Sequence, residues 1–203
     1  MKKTLFVALA ALSLGIAGPS LAAGDKARGK QLSATCAACH GGDGNSFNPE
    51  WPKLAGQHAS YIVKQLADFK EGRRKNATMA PMAAPLSAQD REDLAAYFAS
   101  QATKPGTADE KLVERGRLIY MGGVPADGVP ACAACHGPDG AGNPAAKFPK
   151  LASQHAKYVE IQLKDFRSGK RANDAGRMMR NAVAKMSDAD IKAVAQYIQG
   201  LKP

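Results

Sequence analysis

The chain has 203 residues, with 28 basic against 18 acidic side chains and a formal charge of +10. That length allows one or two domains. Aromatics make up only 6% of the chain and no basic run is long enough to follow a phosphate backbone, which argues against a nucleic-acid partner. The charge points instead to docking on acidic protein faces, or to peripheral association with an anionic membrane.

The chain opens with Lys2 and Lys3, then an apolar run from Leu5 to Ile16, broken by Gly18, Pro19 and Ser20. This is the pattern of a secretory signal peptide over residues 1–22, with cleavage after Ala22. An uncleaved anchor helix is the alternative. No later segment approaches the roughly 20 apolar residues of a membrane span. The reading is an exported, periplasmic protein whose mature chain carries 26 basic against 18 acidic residues, a net +8.

A first helix is predicted from about Asp25 toward Cys36-Ala37-Ala38-Cys39-His40, a pentapeptide that returns unchanged as Cys132-Ala133-Ala134-Cys135-His136. Together the two copies use all 4 cysteines. In an exported protein the thiols could form disulfides, a zinc site or a redox pair. Each of these leaves unexplained why a histidine follows the second cysteine in both copies. C-x-x-C-H is the attachment motif of a c-type haem. Two thiols at the end of a short helix add to the vinyl groups of one porphyrin, and the next histidine takes the iron as proximal ligand. Two covalent haem c groups are therefore expected, bringing up to four propionate charges.

The duplication extends well beyond the motif. Pro52-Lys53-Leu54-Ala55 and Gln57-His58-Ala59 return as Pro149-Lys150-Leu151-Ala152 and Gln154-His155-Ala156. A middle helix after His58 carries Tyr61, Ile62, Leu66 and Phe69 on one face, and its counterpart carries Tyr158, Val159, Leu163 and Phe166. A last helix opens on Ser87-x-x-Asp90, repeated as Ser187-x-x-Asp190, a capping-box pattern. Between the copies, Thr103, Pro105, Gly106 and Thr107 mark a linker. In the second copy the first helix starts near Asp109 and should stop near Tyr120, ahead of a Gly/Pro-rich insertion from Met121 to Pro130. No segment alternates as a strand. The predicted class is all-α, with a domain at 23–102, a linker at 103–110 and a second domain at 111–203. The linker is short enough to hold the two side by side.

Each iron needs a sixth ligand or stays open. The candidates are Met79, Met82, Met178, Met179, His58 and His155. Met79 lies eight residues before Ser87 and Met179 eight before Ser187, whereas Met82 aligns with Ala182 and Met178 with Thr78. Register selects Met79 and Met179. His58 and His155 also align, which leaves a bis-histidine site open by symmetry, but each opens an amphipathic helix and reads as a surface or cap residue. Histidine–methionine ligation closes both axial positions and raises the potential, which suits electron transfer.

These residues resemble those of the dihaem cytochrome c4 family, two class I cytochrome c domains in tandem, over nearly the whole mature chain. The resemblance implies thioether bonds at Cys36, Cys39, Cys132 and Cys135, proximal His40 and His136, and distal Met79 and Met179. It also implies that the Pro52 and Pro149 carbonyls orient the proximal rings. Gly29 and Gly116 resemble the first-helix glycine that meets a last-helix aromatic, here Tyr97 and Tyr197. The family's function would make this a non-enzymatic periplasmic electron carrier, at times loosely membrane-associated. It would take electrons from a quinol-oxidising complex or another cytochrome and deliver them to a terminal oxidase. A dihaem redox enzyme of peroxidase or thiosulfate-oxidising type, or a haem subunit of an oxidase complex, are the alternatives. The near-identity of the two copies speaks against an enzyme with one unlike site.

Overall fold

The computed structural model describes residues 24–202; the expected signal peptide lies outside them. In the N-terminal domain the helices are α1 (Lys26–Leu32), α2 (Ala37–His40), α3 (Ala59–Lys70), α4 (Met79–Ala83) and α5 (Ala88–Ala99). The C-terminal domain repeats them as α6 (Glu110–Gly122), α7 (Ala133–His136), α8 (Ala156–Ser168), α9 (Met178–Val183) and α10 (Asp188–Gly200). No strand forms among the described residues; isolated antiparallel bridges between Val124 and Val129 and between Asn143 and Phe148 close two loops. Among the described residues each copy thus holds five α-helices where periodicity predicts three. The added ones, α2, α4, α7 and α9, have four to six residues, too short to show a period.

Each domain is a crossing of its first and last helices, with the middle helix packed on the last. The crossing is close because glycine stands at the contact. A Cβ on Gly29 would lie 2.0 Å from the Asp93 carbonyl oxygen and 2.9 Å from Tyr97 Cβ. At Gly116 the distances are 2.2 Å to Ala193 O and 2.7 Å to Tyr197 Cβ. Ile62, Leu94 and Phe98 fill one core, and Ile119, Tyr120, Ile191, Val194 and Ile198 the other. The last helices start where the capping pattern places them. Ser87 and Asp90 exchange bonds with each other's backbone N–H, and Ser187 accepts from Asp190 N. Helix α6 runs two residues past Tyr120, and the insertion after it folds as a 3₁₀ turn at Pro125–Asp127, pinned by buried Val129.

Asp93 ties α1 to α5. Its carboxylate accepts from Asp25 N at 2.8 Å and from the Arg28 guanidinium at 2.5 Å. Burial alone would raise the Asp93 carboxyl, but the Asp25 N–H, Gln89 and Arg28 together hold it below the usual carboxylate range. A carboxylate depressed on folding contributes stability that is present above its unfolded pKa of about 3.9 and is lost as pH falls through the folded value. The N-terminal domain should therefore lose stability below about pH 4, and Asp93→Asn should flatten that limb while lowering stability at neutral pH. Urea titrations from pH 3 to pH 7 check this; parallel slopes for both proteins would contradict it.

The two domains face each other through the repeated Gln-His pairs. Gln57 donates to Lys150 O and accepts from Lys150 N, each at 2.9 Å. Gln154 does the same with Lys53, at 2.9 and 2.8 Å. His58 Nε2 donates to Ala141 O at 2.7 Å and His155 Nε2 to Ser46 O at 2.8 Å. These histidines hold N-cap positions, but their rings make no cap bond. They stand at the cap positions expected of them, and their rings add contacts across the interface that the sequence did not show. Arg74 donates to Tyr158 and Gln162, and Arg171 to Tyr61 and Gln65, again across the pseudo-twofold contact. The linker begins along the first domain, where Thr103 Oγ1 donates to Ala55 O and the Asn45 side chain bonds both Ala102 and Lys104. It ends on the second, where Thr107 O accepts from Gln199 and Asp109 N donates to Gln196.

Candidate haem sites

Each C-x-x-C-H motif is a single helical turn. Cys36 and Cys132 are its N-caps, and a glycine with φ of 77° or 76° ends it, Gly41 or Gly137. A glycine, which adopts this positive φ without a Cβ penalty, releases the chain directly after the histidine. No two of the four cysteines are bonded to each other. Burial pushes the Cys36 thiol up and the Cys132 thiol up to about 11.

His40 and His136 are both buried. Nδ1 of His40 donates to Pro52 O at 2.9 Å, and Nδ1 of His136 to Pro149 O at 3.1 Å. A carbonyl can only accept, so each Nδ1 carries the proton and Nε2 is left with its lone pair for a metal. Burial lowers both imidazole pKa values against the opposing carbonyl bond, which favours the neutral, ligating form. The donor set of two thiols and one oriented neutral imidazole fits a covalently held haem in each domain.

On the distal side Met79 opens α4, with Asn76 Oδ1 accepting from Thr78 N and from Met79 N, the latter at 2.8 Å. Met179 lies in the first turn of α9 and packs against the C-terminal core. Both side chains are half-buried, whereas Met82 and Met178 are 40% and 46% exposed. The loop before Met179 is longer than its counterpart. It inserts a turn at Ala175–Arg177 in which Gly176 and Arg177 both have positive φ.

Register reasoning missed Tyr120. In the first domain the Tyr97 hydroxyl, from the last helix, donates to Gly42 O at 2.7 Å. In the second, Tyr120 from the first helix donates to Gly137 O at 2.8 Å, with Tyr197 against its ring at 5.3 Å. The contact to the glycines beside the proximal histidine is kept while its donor changes helix. Arg74 and Arg171 were also missed. Each stacks on a phenylalanine, Phe69 or Phe166, and among the described residues neither has an ion-pair partner.

The comparisons agree with this geometry. The family model described as Cytochrome c matches twice, over residues 26–102 and 113–202. A cytochrome c4 of Thiocapsa roseopersicina is 54% identical over 180 residues, covering 88% of this chain and 93% of that protein. The crystal structure of reduced recombinant cytochrome c4 from Pseudomonas stutzeri superimposes with a TM-score of 0.86 at 49% identity, over 89% of this chain and all of that one. More distant is a thiosulfate dehydrogenase electron acceptor of Thiomonas intermedia, 39% identical over 84% of this chain and 81% of its own length. With its two matched domains, its paired haem motifs and its proline-oriented histidines, the chain belongs to the cytochrome c4 family of dihaem electron-transfer proteins.

Proposed function

We propose that the protein is a periplasmic carrier that passes single electrons from a quinol-oxidising complex or another cytochrome to a terminal oxidase, and that it is not itself an enzyme. In this reading residues 1–22 are removed as a signal peptide. Residues 23–102 and 111–203 are the two haem domains, joined by the linker at 103–110. Cys36 and Cys39 hold one haem and Cys132 and Cys135 the other. His40 and His136 are the proximal ligands, and Met79 and Met179 the distal ones. The haems supply the one-electron chemistry; the chain orients the proximal rings through Pro52 and Pro149 and keeps both axial positions filled.

The observation that carries this reading is the equivalence of the two sites. Both histidines are buried and bonded to a proline carbonyl, and both half-buried methionines stand eight residues before a cap serine. In this reading neither site keeps the open position that peroxide or thiosulfate chemistry needs. Among the described residues no helix is long and apolar enough to cross a membrane, which agrees with at most a loose membrane association. The basic surface favours acidic partner faces, and such docking weakens with salt.

The test is oxidation of the reduced protein by membranes containing a haem-copper oxidase. We expect rapid, cyanide-sensitive oxidation that slows as ionic strength rises. Oxidation at the rate of a buffer control would overturn the oxidase as acceptor. The likeness to the Thiomonas protein favours a second donor. Thiosulfate with a thiosulfate dehydrogenase should then reduce this protein, while thiosulfate alone should not.

A further inference from the structure

The Asp68 carboxylate is buried in the N-terminal domain and gathers donors from both domains. It accepts from the Lys64 ammonium, from Arg73 Nε at 2.8 Å and from Asn173 Nδ2 at 2.6 Å. Lys64 Nζ also donates to Asn173 O at 2.8 Å, and Gln65 Oε1 accepts from Asn173 Nδ2 at 3.0 Å. Asn173 is thus held by backbone and side chain at once. The next residue, Asp174, accepts from Arg180 N at 3.0 Å and Arg180 Nε at 2.7 Å, and Arg180 directly follows Met179. Two sets of hydrogen bonds, joined by the Asn173–Asp174 peptide, thus connect the first domain's middle helix to the second domain's methionine turn.

The counterpart positions do not repeat this. Among the described residues the Asp165 carboxylate has only Lys170, at 3.4 Å, and Ile161 stands where Lys64 does. Asn76, the counterpart of Asn173, is spent on the backbone of its own loop, at Thr78 and Met79. The asymmetry has a physical reason. The loop before Met79 is short and capped by its own asparagine. The loop before Met179 carries an extra turn and places Arg177, a non-glycine residue, at φ 58°, a conformation that persists only where its surroundings fix it.

We propose that Asp68, with Lys64, is a positioning residue for the other domain's iron ligand: the N-terminal domain holds Met179 on its haem through this carboxylate, whereas Asp165 has no such role for Met79, whose loop meets the other domain through Arg74. This rests on Met79 and Met179 being the distal ligands, as proposed above. It makes the methionine bond of the second haem dependent on domain contact, so a partner that loosens the interface would reach that haem first.

Imidazole takes the iron position that a methionine leaves. The imidazole concentration that removes the weak sulfur-to-iron charge-transfer band of the ferric protein therefore reports how firmly each methionine is held. In a Met79→Ala background the remaining band reports Met179, and in a Met179→Ala background it reports Met79. We expect Asp68→Asn to lower the imidazole midpoint about tenfold in the first background, the scale of one buried charge-assisted hydrogen bond. In the second background it should shift less than about twofold. Lys64→Met, which keeps Asp68 paired with Arg73, should show the same selectivity if Asp68→Asn folds poorly, and Asp165→Asn should shift neither midpoint. A band unchanged by Met79→Ala would refute the ligand reading. A band halved by Met79→Ala but insensitive to both Asp68→Asn and Lys64→Met, or an equal shift in both backgrounds, would overturn the clamp while leaving the ligands in place.

Discussion

Replacing Met79 with alanine is expected to lower the midpoint potential of one haem by on the order of 0.2 V, within the about 0.8 V range that axial ligands span, and to leave the other haem near its native value. A thioether is a soft ligand that favours ferrous iron; the water that would replace it favours ferric iron. Met179→Ala should produce the mirror result. Each variant should also lose about half of the charge-transfer band and gain one iron that binds carbon monoxide. Spectroelectrochemical titration separates the two haems in both variants. Met82 and Met178 lie more exposed, at 40% and 46%, and their alanine variants should titrate as the native protein does. If Met82→Ala removes half of the band and Met79→Ala does not, the register between the two copies has been misread.

The second large effect belongs to the helix crossings. Gly29→Ala forces a methyl to within 2.0 Å of a backbone oxygen on α5, and backbone cannot swing aside as a long side chain does. Relief requires α1 and α5 to separate, which opens the core around Leu94 and Phe98. Overpacking of this kind costs about 3 kcal/mol or more. For a domain of under 100 residues that lowers Tm by about 12 °C or more. Gly29→Ala should therefore split the melt in two, with the N-terminal domain unfolding first, and Gly116→Ala should reverse the order. Calorimetry of the two variants checks this, and a single unshifted transition would show that the crossing has room the geometry denies.

Much of the site is legible in the sequence because it rests on short-range order. The haem motif, the proline about a dozen residues beyond it and the methionine set back from a cap serine are all fixed spacings. Duplication let one copy check the other. What duplication could not reveal is where the copies differ. Tyr97 and Tyr197 align, yet the bond to the haem-motif turn comes from Tyr97 in one domain and Tyr120 in the other. Asp68 and Asp165 align as well. Their roles diverge because Lys64 faces one and an isoleucine sits at the matching place of the other. His58 and His155 show a different gap. Each heads an amphipathic helix and reads as a surface residue in its own domain, and only the juxtaposed domains place its ring against a partner carbonyl. The one-turn helices that carry the haem motif and the methionines escape for a simpler reason: helix periodicity needs several turns to register.

The central claim is that both irons are closed by a histidine and a methionine. Its most direct test is the ferric protein's spin state and charge-transfer band, measured on the native protein beside the Met79→Ala and Met179→Ala variants. The claim requires that all native iron is low-spin, that the native band has twice the intensity of either variant's, and that the double variant has none. High-spin signal from half of the native iron, or a native band no stronger than a single variant's, would contradict it.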